Sequence, residues 1–182
     1  MKFGQDTFIH LSVSRYDTYS YSSYGARWIN HEWLAELILF LIFKLAKSIG
    51  LLIFKFTAGL GITFLIFNCV SKSTKSIYLR LLFIALSLSL ICSGFAIRPQ
   101  IFTYVFFALL VFLIDNFEND ADKRWLYPLP LIFLLWVNLH GGFVTGIGFL
   151  LLYVLFKIAQ KKAKGELLLI ALLCVFVTLI NP

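Results

Sequence analysis

Apolar residues fall in runs at 33–47, 49–70, 81–97, 101–114, 127–139, 142–156 and 167–180. The segments between them are of two kinds. SKSTKSIYLR, NFENDADKRW and KIAQKKAKGE are charged and several residues long, whereas RPQ, LHGG and the terminal NP are tight, nearly uncharged breaks. A straight crossing of bilayer hydrocarbon takes about 20 residues, with a lower limit near 17, so several runs are short unless their polar ends dip inward. Short runs with polar ends predict an indented or water-filled face. The pattern as a whole predicts an all-α polytopic transmembrane protein, with about five spans plus an amphipathic interfacial helix.

Charged connectors and tight breaks alternate, which puts every charged connector on one side of the membrane and every break on the other. The Lys-rich side is expected to be cytoplasmic. Pro99, Gly141, Gly142 and Pro182 break helices for a local reason, since proline removes a backbone donor and glycine relaxes the helix. Breaks at membrane depth survive only against protein or water.

The run 33–47 has two readings. Glu32, Glu36, Lys44 and Lys47 return to one side of a helical wheel, and a helix with such a polar stripe lies in the interface. If it crossed instead, the inner side would gain Lys2, Arg15 and Arg27 and strengthen the positive-inside bias. We adopt the interfacial reading because a crossing would bury Glu36 in the bilayer. Residues 1–32, rich in Tyr, Ser and Trp, then form an outer-face loop segment, and 33–182 form the transmembrane region with its interfacial helix. The first segment has no apolar signal-peptide core and no cleavage site.

Composition narrows the function. The 182 residues are 60% hydrophobic and only 14% charged, with 20 Phe, so the chain cannot cover a water-soluble surface. Soluble enzymes and disordered tails are excluded. The net charge of +7 is scattered over connectors and forms no aromatic-interleaved patch, which points to anionic lipid and excludes nucleic acid as a partner. Cys69, Cys92 and Cys174 lie inside apolar runs without metal spacing and read as small hydrophobes.

Three places carry candidate chemistry. In WINHEW, His31 and Glu32 stand side by side, able to hold a divalent metal, face a phosphate or take a proton. The plainer reading is a capped helix start, with Asn30 as N-cap and Trp28 and Trp33 as interface anchors. Arg98, before Pro99, calls for an anion at its depth, either a carboxylate from another segment or a phosphate, or else snorkels to headgroups. In WVNLHGGFVTGIG, Asn138 and His140 end one run, and Gly142, Gly146 and Gly148 open the next with the spacing of close helix packing. His140 is a functional candidate by virtue of its setting, or a histidine bonded to a neighbouring carbonyl.

The order DTYSY, WINHEWLAE, RPQIFTY, LWVNLHGGF and LINP resembles bacterial integral membrane proteins of the GT-C glycosyltransferase superfamily, related to mannosyl and aminoarabinosyl transferases that use polyprenyl-phosphate sugars. The resemblance spans nearly the whole chain. It implies a multi-pass protein of the bacterial inner membrane whose first outer loop, with Asp17, His31 and Glu32, faces outward. It further implies inverting sugar transfer from the lipid phosphate. Asp17 or Glu32 would then be the base, with His31, Arg98, Asn138 and His140 as substrate contacts. The motifs begin where such proteins already have a first helix and an acidic motif, and stop before their later helices, so the expectation is a fragment inactive by itself. The alternative is a transporter or structural membrane subunit, with Arg98, His140 and Glu36 strung along a polar pathway. Depth discriminates: polar residues gathered at one face favour the transferase.

Overall fold

The computed structural model describes residues 2–92 and 95–181, the side chains of Leu90 and Cys92 excepted. Pro182, one of the expected breaks, and the Cys92 side chain lie outside the described residues. The regular elements are α1 (Lys2–His10), α2 (Trp33–Ser73), α3 (Ile77–Cys92), α4 (Gln100–Asp120), α5 (Leu129–Leu139), α6 (Phe143–Ala159) and α7 (Gly165–Val177), with a 3₁₀ turn at Lys123–Trp125. The all-α expectation holds among the described residues, which contain one isolated bridge, Tyr16 to Arg27, and no strand. The expected loop at 1–32 is corrected in part by α1. This helix forms because α2 gives it a surface: Gly4 seats on the Glu36 carbonyl, and Phe8 packs on Phe40 at 5.8 Å.

The helices end where the sequence places its breakers. Pro128 and Pro130 flank the start of α5, where a missing N–H costs nothing. At the other end of α5 the chain turns extended at His140 (φ −166°, ψ 141°), ahead of Gly141 and Gly142.

By length and composition α2 and α4 can cross a membrane, whereas α3, α6 and α7 are shorter apolar helices. That is fewer than the five spans expected, because the breaks cut the runs short. The 41 residues of α2 would make a rod of about 60 Å if straight, but α2 is bent at Ala46 and Lys47, where Lys47 takes φ 53° and ψ −147°. Two contacts show how sharply. A Cβ added at Gly50 would lie 3.1 Å from the Ile42 carbonyl, eight residues back, where a straight helix puts about 12 Å. Ala35 and Phe54 also meet the same group around Ile101 and Phe102. The limb 33–45 therefore doubles back on the limb 48–73. Its N-terminal end, at Ala35, packs beside the start of α4.

Limb 48–73 runs beside α4 in the same direction, with Phe54 on Phe102 at one end and Lys72 on Asp115 (3.1 Å) and Asn116 (2.7 Å) at the other. The charged connectors meet at that second end. Glu118 pairs with Lys157 at 2.5 Å and with Tyr153, and Lys123 with Glu166 at 3.4 Å. Between the ends lies an apolar core of α4, α5, α6 and α7, centred on the fully buried Phe133 and Trp136, whose rings stack at 5.6 Å. Gly146 lies against the Trp136 indole with no room for a methyl group, the close packing that the glycine spacing predicts.

Candidate functional site

The tight breaks meet at the opposite end. Trp33 opens α2, and its Nε1–H donates to Asn138 Oδ1 at 2.8 Å, on the last turn of α5. The Asn138 amide donates to the carbonyls of Leu134 and Ile180, both at 2.9 Å. Asn181 donates to Val137 O at 2.7 Å and His31 O at 3.3 Å. Asn138 is buried and both its amide hydrogens are used, so it clasps α2, α5 and the segment after α7 together. Asn30, expected as N-cap, stands further upstream: the capping position is Glu32, while Asn30 Oδ1 takes the Glu32 N–H at 3.3 Å and Asn30 Nδ2 donates to Glu36 at 2.7 Å.

This clasp brings three candidate residues together. Glu32 Oε1 lies 3.5 Å from His140 Nε2 and 3.8 Å from His31 Nε2. The tautomer of His140 follows from what surrounds its other nitrogen. The Gly142 N–H, which can only donate, points at Nδ1 from 2.9 Å. Thr103 Oγ1 stands 2.8 Å from the same Nδ1 and accepts the Trp136 indole N–H at 3.0 Å, which leaves its own hydrogen for the imidazole. Nδ1 therefore carries a lone pair, and the neutral ring has its proton on Nε2, facing Glu32. Burial lowers the His140 pKa below 6.5, and the His31 charge adds to that effect while Glu32 opposes both. Gly142 is required here, since a methyl group would collide with Thr103. Thr103 escaped the sequence reading, because a threonine inside FTYVFF looks like any other small polar residue in a membrane helix.

The metal expectation does not fit these residues. A cation on His140 Nε2 would need the proton moved to Nδ1, against the Gly142 N–H, and the described residues contain no cluster of three metal-ligating side chains.

The remaining candidates lie apart from this group. Asp17 sits in the hairpin between residues 15 and 28, where its Oδ1 accepts the N–H groups of Tyr19 and Ser20, both at 2.9 Å. The bonds from Ser20 hold its carboxyl below the usual aspartate value. Arg98 is exposed in the turn before α4 and makes no ion pair with an acidic side chain among the described residues.

An apolar groove of about 640 Å³ opens beside the cluster between α2, α3, α4 and α6, lined by Ile62, Cys69, Ile91, Phe107 and Val111. Thr103 lines it too, so one residue touches both the groove and the His140 imidazole. No family model matches the chain, and no curated protein or solved structure matches it either.

Proposed function

We propose that this chain is part of a multi-pass membrane glycosyltransferase of the bacterial inner membrane, with limb 48–73 of α2 and the helices α3 to α7 as its crossings and limb 33–45 lying in the outer interface. In this reading a polyprenyl-phosphate sugar places its chain in the apolar groove and its phosphate near the histidines. Glu32 takes the proton of an acceptor hydroxyl. The acceptor oxygen bonds to the sugar carbon from the face opposite the phosphate, the carbon–phosphate-oxygen bond breaks, and polyprenyl phosphate leaves with inverted sugar behind it. The observation that carries the proposal is Glu32 held beside a neutral His140, one hydrogen bond from a residue that lines the groove. His140 then acts as an oriented donor, toward Glu32 before transfer and toward the leaving phosphate during it.

Asp17 is poorly suited to the base role, because two backbone N–H groups already stabilise its carboxylate. The gathering of polar residues at one end favours transfer over a polar pathway through the bundle. The test uses the full chain in nanodiscs with a polyprenyl-phosphate sugar. Ala108→Trp and Val111→Trp fill the groove and should abolish binding of the lipid, while Glu32→Gln should bind it normally and lose transfer to a hydroxyl acceptor by about 100-fold or more. Equal binding by wild type and the groove-filled variants would overturn the proposal.

A further inference from the structure

We infer that the lysine-rich end of the bundle binds the headgroup of an anionic phospholipid, in a cavity between the last turn of α4, the end of α6 and the start of α7. The cavity measures about 310 Å³ and is lined by Phe117, Glu118, Lys157, Lys162, Lys164 and Leu167. Its lysines are brought together by the way α6 stops. Lys161 takes the left-handed conformation at φ 56°, which folds the chain back so that its N–H bonds Ile158 O at 2.8 Å and the Lys162 N–H bonds Lys157 O at 2.9 Å. This closure sets the residue two past the cap, Gln160, against the residue three before it, a pair that is commonly apolar. Here both are lysines. Lys164 completes the group, with its ammonium 5.9 Å from the Phe117 ring and so beside Glu118.

Three ammonium groups share one carboxylate. Glu118 accepts from Lys157 at 2.5 Å and from Tyr153, and the Lys162 charge acts on it as well. The other acids of this end are engaged elsewhere: Asp115 with Lys72, Asp120 with the Trp125 indole, Asp122 with Arg124 and Glu166 with Lys123. Neither Lys162 nor Lys164 forms an ion pair with an acidic side chain among the described residues. The cavity therefore holds more positive charge than its own acid neutralises, and an oxyanion between the lysines removes their repulsion. Each ammonium offers donors that turn to meet phosphate oxygens. The surroundings select a lipid over a soluble phosphoester of the same chemistry. Phe117 and Leu167 floor the cavity, and Phe156 and Leu168 beside it are exposed and apolar, so acyl chains continue along the bundle from a headgroup seated there. The inference rests on the reading of this end as a membrane face and not on glycosyl transfer.

The experiment uses the full chain in phosphatidylcholine nanodiscs, with and without phosphatidylglycerol, and maps lysine acetylation by a neutral reagent with peptide mass spectrometry. Phosphatidylglycerol should protect Lys162 and Lys164 and leave Lys75 and Lys161, which do not line the cavity, labelled as before. Equal protection of all four lysines means diffuse attraction to an anionic surface and overturns the inference. So does the absence of any protection, and this readout needs no variant to fold. Glycerol 3-phosphate added to discs of phosphatidylcholine alone should protect neither residue; protection as strong as the lipid gives would assign a soluble ligand and overturn the lipid assignment. Native mass spectrometry of the released chain then compares retained phosphatidylglycerol with phosphatidylcholine. Lys162→Gln/Lys164→Gln should lower that preference about tenfold, whereas Lys75→Gln/Lys161→Gln, which removes the same charge, should lower it far less. Equal losses in the two variants would contradict a site. Glu32→Gln should leave the protection unchanged, so failure here is distinguishable from failure of the transferase reading.

Discussion

At the scale of single residues the site depends on Thr103, which accepts from Trp136 and donates to His140. Thr103→Val keeps the shape and removes both bonds, leaving the buried indole N–H without its acceptor, at a cost of about 1–3 kcal/mol. Thermal unfolding should show that loss for Thr103→Val and almost none for Thr103→Ser, and ¹⁵N NMR should show His140 keeping its Nε2 proton in the serine variant. His140 also predicts an acid response. Above pH 6.5 neither folded nor unfolded chain protonates this ring, so its effect on stability is nil there; as the pH falls through 6.5 the unfolded chain takes a proton that folded His140 resists, and stability drops. His140→Asn should flatten that part of the melting temperature–pH curve, and an equally steep curve would contradict the burial argument. His31, Glu32 and His140 were legible in the sequence because polar side chains at helix breaks are conspicuous in so apolar a chain. Thr103 was not, since its partner Trp136 is 33 positions away and only the packing of α4 on α5 joins them.

At the scale of elements the sequence fixes where helices stop better than how they lie. The gap between the runs 33–47 and 49–70 falls at the bend of α2, and the runs from 81 onward become α3 to α7. That limb 33–45 folds back was not readable, because the contact that permits it joins Gly50 to Ile42 through space. α1 was not readable either: its nine residues are stabilised by Phe3 on Trp28 and Phe8 on Phe40, and helices so short do not persist alone. The bend makes a distance prediction. Spin labels at 38 and 58, in a background lacking the native cysteines, should lie much closer than the roughly 30 Å of a continuous helix. Gly50→Leu collides with Ala46 and Ile42 and should lengthen that distance or unfold the region; an unchanged distance would mean that the bend does not depend on the glycine.

Across the whole molecule, two kinds of connector have become two ends. One is held by ion pairs, Lys72 with Asp115, Glu118 with Lys157 and Lys123 with Glu166. The other is held by the Trp33–Asn138–Asn181 clasp and contains the Glu32 cluster. This division was legible from charge alone, because lysine-rich connectors and tight breaks alternate. Which lipid face each end meets rests on the positive-inside bias, and the outer placement of the site depends on it. The most direct measurement is labelling with a membrane-impermeant thiol reagent in sealed vesicles, using single cysteines at Ser22 and at Lys161 in a cysteine-free background. The account predicts that the two positions label from opposite sides, with Ser22 reached from the outside and Lys161 only after the membrane is opened. Labelling of both from one side would contradict it.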